Sequence, residues 1–231
     1  MTLSTVLLLQ VIAHVLSDFY FQTDQSVTEK LKHGAKSKSL YKHIAITFAL
    51  SWLLSFSPDF VFNAIIIAVT HYFIDLLKPR VQKIKSIGNY AFFIDQAIHI
   101  VVILLVTDLR FAGNNQPIFS INPQALQAIL IYLIALKPTN IIIKEVFKTY
   151  QIETPQTDDL PNAGKLIGSL ERILIITLSI AGRLEAVGFL IAAKSILRYK
   201  DTDNLKTEYV LIGTLLSFGI ATILSLWFMY F

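Results

Sequence analysis

The sequence predicts an all-α, polytopic transmembrane helical bundle of about eight membrane segments. Three observations predict it. Of the 231 residues, 54% are hydrophobic and only 16% charged, against roughly 25% charged in an average soluble domain. Mean hydropathy is +0.60. The apolar residues fall in runs of membrane-crossing length, separated by Lys-rich connections. A water-facing surface cannot be built from so many apolar side chains, so the soluble globular, disordered and fibrous classes are excluded. The absence of cysteine excludes disulfides, iron–sulfur clusters, Cys-zinc sites and thiol nucleophiles.

A spanning helix needs about 20 mainly apolar residues. Residues 3–21 form the first; the run lacks a basic leader and carries His14 and Asp18, so it reads as a retained span and not a cleavable signal. Residues 40–56 and 58–77 follow, joined by a tight turn at Ser57-Pro58-Asp59, and 89–108 is the fourth segment. The polar stretch 109–123 then divides the chain into a four-helix membrane domain (1–110) and a C-terminal helical module (124–231). In the second part, 124–143 is interrupted by Lys137-Pro138, which predicts a kink or break. Segments 166–182 and 184–198 are short and meet near Gly182-Arg183; they are either two spans or a re-entrant hairpin. Residues 208–230 close the chain.

The net charge of +4 is read as membrane topology, with no nucleic-acid partner. In the eight-span arrangement, 16 of the 20 cations lie on one side, in 22–42, 78–88, 144–165 and 194–207. The positive-inside rule makes that side cytoplasmic and puts both termini on the other.

Ionisable groups inside a membrane are costly, by about 2.5–3.5 kcal/mol each. Four of the five histidines nevertheless lie in predicted spans, and three are paired with an aspartate four residues away: His14 with Asp18, His71 with Asp75, and Asp95 with His99. On a helix such pairs share a face. His43 opens the second span. The topology brings all seven groups into a slab about 10–15 Å thick toward the cytoplasmic side. Imidazole and carboxylate together are the usual ligand set for zinc and related divalent ions. The expectation is a divalent-metal site, zinc foremost, holding one or two ions on His14, Asp18, His43, His71, Asp75, Asp95 and His99. One of Asp18, Asp75 and Asp95 would act as general base. Gln22, Lys78 and Gln96 are placed to orient a ligand or meet an anion, and Arg172, Lys194 and Arg198 to clamp a headgroup. His33, in the Lys-rich connection, reads as solvated. Gly164-x-x-x-Gly168 would allow close helix approach, and Glu171 with Lys194 is the expected interhelical ion pair.

The segments HVLSDFYFQTD (14–24), HYFIDLLK (71–78) and DQAIH (95–99) resemble a family of bacterial integral membrane proteins known only as a domain of unknown function. Segments of the second half resemble that family's C-terminal module. The resemblance implies a bacterial cytoplasmic (inner) membrane location and no established activity. Paired H-x-x-x-D motifs are also similar to those of a bacterial inner-membrane group of metal-dependent hydrolases. In spacing alone they resemble the all-helical zinc phospholipase and nuclease group. That soluble group adds an N-terminal Trp and more histidines; residue 1 here is Met, which favours one or two ions over three.

The function expected is a metal-dependent hydrolase of a lipid or other phosphoester, with membrane lipid as its partner. A proton- or cation-coupled transporter or channel, or a scaffold with a structural metal, are the alternatives. Neither G-x-S-x-G nor a nucleotide-binding glycine loop occurs.

Overall fold

The computed structural model describes residues 3–110, 121–153, 163–198 and 204–230, and these are all-helical, with no strand among them. The helices are α1 (Leu3–Val15), α2 (Asp24–His33), α3 (Lys38–Leu54), α4 (Val61–Gln82), α5 (Ala91–Arg110), α6 (Pro123–Ala135), α7 (Lys137–Thr149), α8 (Ala163–Ile180), α9 (Leu184–Arg198) and α10 (Asn204–Tyr230). Every expected membrane segment is helical. Three stretches are long and apolar enough to cross a membrane on their own: Pro58–Gln82, Gly88–Thr107 and Thr207–Tyr230. Five qualify if two bent pairs, α1 with α2 and α6 with α7, each count as one span. The remaining segments are shortened or carry charge: α3 has 17 residues and α9 has 15, while α8 contains Lys165, Glu171 and Arg172. Large apolar side chains are exposed, and polar side chains are buried among the apolar ones. Phe62 is 69% and Ile223 67% exposed, whereas Gln10, Ser17, His71 and Thr107 are buried.

The chain forms two compact units, Met1–Leu130 and Ile131–Phe231. The division falls within α6, beyond the polar stretch 109–123. In the first unit α1 packs on α3 and α5, and α4 packs on α3 and α5, closing a four-helix ring. One end is apolar, with Val6, Phe60, Ala64 and Ile67 buried together. Toward the other end the facing side chains turn polar. Ser51 Oγ donates to Gln10 Oε1 at 2.6 Å and Ser17 Oγ meets Thr47 Oγ1 at 2.6 Å, tying α1 to α3.

Two local features differ from the sequence reading. Helix α1 ends in a π-turn over Leu16–Tyr20, where the Phe21 amide donates to the Leu16 carbonyl at 2.9 Å; such wide turns often mark functional sites. The Lys-rich connection is not a loop but a helix, α2, bent 86° from the axis before it. Thr23 and Ser26 form a reciprocal capping box that starts it. Two contacts hold it down. Glu29 accepts hydrogen bonds from Ser37 and Ser39 at the start of α3, and Lys30 reaches Asp75 of α4. His33 is exposed, as the sequence reading has it.

In the second unit α8 packs on α7, α9 and α10 around Ile131, Ala135, Ile175, Ile176 and Ala221. The predicted interruption is a break at Leu136, with the two helices bent by 42°. Pro138 has no N–H for the turn before it, so carbonyls there need other donors. The Thr139 hydroxyl takes the Ile134 carbonyl at 2.7 Å. Arg172, 1% exposed, takes the next two: Nε donates to the Ala135 carbonyl and Nη2 to that of Leu136. Its other bonds go to Asn140 Oδ1 at 2.7 Å, Ser217 Oγ at 2.9 Å and Ser169 Oγ at 3.2 Å. Gly168 makes room for this side chain: a Cβ there would sit 3.1 Å from Arg172 Nη1. Of the two glycines Gly168 makes the close approach, its Cβ position also lying 4.0 Å from Ser217 Oγ of α10, whereas no described atom lies within 4 Å of a Cβ at Gly164. The expected Glu171–Lys194 ion pair is present. Gly182, at φ +70°, closes α8 in a Schellman turn, the Arg183 amide reaching the Leu178 carbonyl at 2.8 Å.

Arg172→Met removes the side-chain donors to the Ala135 and Leu136 carbonyls, to Asn140 Oδ1 and to the Ser217 and Ser169 hydroxyls. The expected cost is about 3 kcal/mol or more, read as a lowered thermal unfolding midpoint of the full chain in detergent.

Candidate metal centre

The seven His and Asp side chains singled out by spacing converge inside the first unit. His14 and Asp18 come from α1 and its π-turn, His43 from the first turns of α3, His71 and Asp75 from α4, and Asp95 and His99 from α5. The His71 and His99 rings stack at 3.9 Å, with His14 5.3 Å from His99 and His43 4.9 Å from His71. All four imidazoles are buried, at 2–4% exposure.

The pairs four residues apart are neighbours but not hydrogen bonds. His14–Asp18 is 3.6 Å, His71–Asp75 4.0 Å and His99–Asp95 4.0 Å, beyond bonding range. The closer approaches cross between helices. Asp18 Oδ1 lies 3.4 Å from His71 Nε2, 3.5 Å from His43 Nε2 and 3.6 Å from His14 Nδ1. His43 Nε2 and His71 Nε2 are 2.9 Å apart. A tetrahedral ion with bonds near 2.1 Å holds its ligand atoms about 3.4 Å apart, which the three distances to Asp18 Oδ1 match, whereas the two Nε2 atoms stand closer, at hydrogen-bond distance. Three groups have ligand atoms all within 4.8 Å of one another: His14, Asp18 and His71; His43, His71 and Asp75; Asp75, Asp95 and His99.

Gln96 fixes the polarity of the cluster. Its Nε2 lies 3.2 Å from Asp18 Oδ2 and 3.2 Å from Asp95 Oδ2. Ionised carboxylates only accept, so the amide nitrogen faces them and the amide oxygen faces His14 Nε2, at 3.3 Å. His14 therefore carries its proton on Nε2 and turns the lone pair of Nδ1 toward Asp18 Oδ1. Among the described residues neither of those two buried atoms has a hydrogen-bond partner, and neither do Asp95 Oδ1 and the two His99 nitrogens. Electron-rich atoms aimed at one another across 3.6 Å suit a cation between them.

Two of the three carboxylates already have one. Lys30 Nζ is 2.6 Å from Asp75 Oδ2, and Lys78 Nζ is 2.8 Å from Asp95 Oδ2. With neutral imidazoles, the three aspartates and two lysines leave a single negative charge, on Asp18. Lysines thus do part of the work of making the buried carboxylates tolerable. Lys78, expected to meet an anionic ligand, is bound to Asp95 and lies 5.6 Å from the Phe92 ring centre. In the sequence Lys30 counts only toward membrane topology; the Thr23–Ser26 cap is the sign that its connection is helical.

Gln22 lines a groove that reaches His43. The remaining candidates belong to the second unit. Arg172 is engaged at the helix break, Lys194 is paired with Glu171 and lies 5.2 Å from the Phe218 ring centre, and the Arg198 side chain lies outside the described part.

Residues 6–128, more than half of the chain and most of the first unit, match the family described as "Protein of unknown function (DUF3307)". No curated protein and no solved structure matches the chain.

Lys78→Met strands the Asp95 charge in the interior. The expected loss is about 3 kcal/mol, measured by unfolding in detergent, and adding Asp95→Asn should recover most of it.

Proposed function

We propose that this chain, which belongs to the DUF3307 family, is an intramembrane metal-dependent hydrolase of a lipid or other phosphoester. It would work at the cytoplasmic face of a bacterial inner membrane that it crosses in about eight segments, α8 and α9 being spans or a re-entrant pair. One observation carries the reading: three imidazole nitrogens from three helices lie 3.4–3.6 Å from one buried carboxylate oxygen, Asp18 Oδ1.

His14, Asp18, His43 and His71 would hold one divalent ion, zinc by ligand type. Lys30 and Lys78 support a count of one, since each already neutralises a carboxylate that a second ion would need. A bound ion supplies Lewis-acid polarisation of a phosphoryl oxygen and a more acidic water. The protein's share is positional. Gln96 orients His14 and Asp18, and such outer contacts are typically worth 10–100-fold in metal affinity. Asp75, near His43 and held by Lys30, is the general base. Asp95, tied to Lys78 and Gln96, completes the support, and His99 stacks on His71.

A second reading, a proton- or cation-coupled transporter, is favoured by one observation. Past the cluster, Gln10, Thr47, Ser51 and Thr70 join His14, His71 and His99 around a void of about 10 Å³ that Ala13, Ile67, Val102 and Ile103 also line, room for about one water.

Elemental analysis of the purified chain should find one divalent ion, lost in His71→Ala and in Asp18→Asn. Gln96→Ala should weaken its affinity about 10–100-fold. Release of a phosphomonoester and the matching alcohol from reconstituted lipid, abolished by chelator, would support hydrolysis. Proton or cation flux without turnover would support transport, and folded variants that keep the ion would overturn the ligand set.

A further inference from the structure

Between α2 and α3 the first unit carries a groove of about 390 Å³, within the usual range of small-ligand sites. Gln22, Gln25, Ser26 and Glu29 line one side and Lys42 the other, with His43 among its walls. His43 is buried, so the groove leads from the surface to a proposed metal ligand. Its lining holds one fixed cation and one fixed anion and is otherwise neutral.

We propose that the groove takes the headgroup of a zwitterionic aminophospholipid, its phosphate on Lys42 and its primary ammonium on Glu29. The assignment rests on the reading above and names its substrate class. An anionic headgroup would be repelled by Glu29, and a purely cationic ligand by Lys42. Glu29 is anionic because the Ser39 hydroxyl holds its carboxyl below the ordinary value. A carboxylate has about four acceptor sites, and the donors it receives are Ser37 Oγ, Ser39 Oγ and the Ser39 amide. One position remains for an ammonium N–H. Gln25 offers a neutral amide donor to phosphate and glycerol oxygens, and Ser26, whose hydroxyl donates to the Thr23 carbonyl, fixes that wall of the groove. The bend of 86° before α2 turns that helix along the membrane surface when α1 spans, at headgroup level. Phe21, 57% exposed beside the groove, offers an apolar contact to the acyl chains.

The full chain in detergent would be offered equal amounts of phosphatidylethanolamine, phosphatidylcholine and phosphatidylglycerol, and the retained lipid read by native mass spectrometry. Phosphatidylethanolamine should exceed each of the others by about tenfold, the scale of one charge-assisted contact. Choline has no N–H to donate, and glycerol brings no cation. Glu29→Gln should collapse the preference, and Lys42→Met should weaken all three. Equal retention, a preference for phosphatidylglycerol, or an unchanged preference in Glu29→Gln would overturn the assignment. Metal content measured on the same samples separates the two readings. A preference without an ion fails the metal centre alone; an ion without a preference fails the headgroup assignment alone.

Discussion

The architecture depends on one constraint: a charge or polar group held in an apolar solvent must find its partners inside the protein. Asp18 is where that constraint is tightest. Its two oxygens divide the labour, one fastened by the Gln96 amide and the other left to three imidazoles. The hydroxyl and amide contacts that tie α1 to α3 continue the same polar seam, so the four helices are registered by polar contacts as well as by apolar packing. The two lysines belong to this arrangement. Each converts a buried aspartate from a liability into half of an ion pair, and a buried pair with one member removed costs far more than the pair itself.

The second unit meets the same constraint with different means. Its buried charge, Arg172, has no carboxylate among its hydrogen-bond acceptors. It is distributed over the main-chain carbonyls of a broken helix and three side-chain oxygens. Guanidinium suits this because its donors are many and spread in a plane. A proline that breaks a helix and an arginine that repairs the exposed carbonyls act as a unit, though they lie on different helices.

Much of this was legible in the sequence because lipid imposes long apolar runs, and each run proved helical. The His/Asp convergence was legible too, since spacing of four and common depth are one-dimensional quantities. Cross-helix geometry was not. The i,i+4 pairs suggested local partners, yet Asp18 approaches His71 and His43 more closely than His14, and nothing in spacing gives the rotation of one helix against another. The lysines of α2 read as a solvated connection, so Lys30 counts toward topology while its ion pair with Asp75 has no sign in the sequence. Arg172 was read as a headgroup ligand because its cationic neighbours suggested one. Its partners are carbonyls, which every residue has and no motif displays.

The wide turn over Leu16–Tyr20 contains, in effect, one residue more than an α-helix needs to travel the same path. Each residue turns a helix by about 100°. A single-codon deletion there would leave a hydrophobic span of nearly unchanged length and keep Asp18 on the face of His14, since spacings of three and four both share a face. What it would turn is everything beyond the wide turn: α2 would leave α1 in another direction, and Lys30 would be carried away from Asp75.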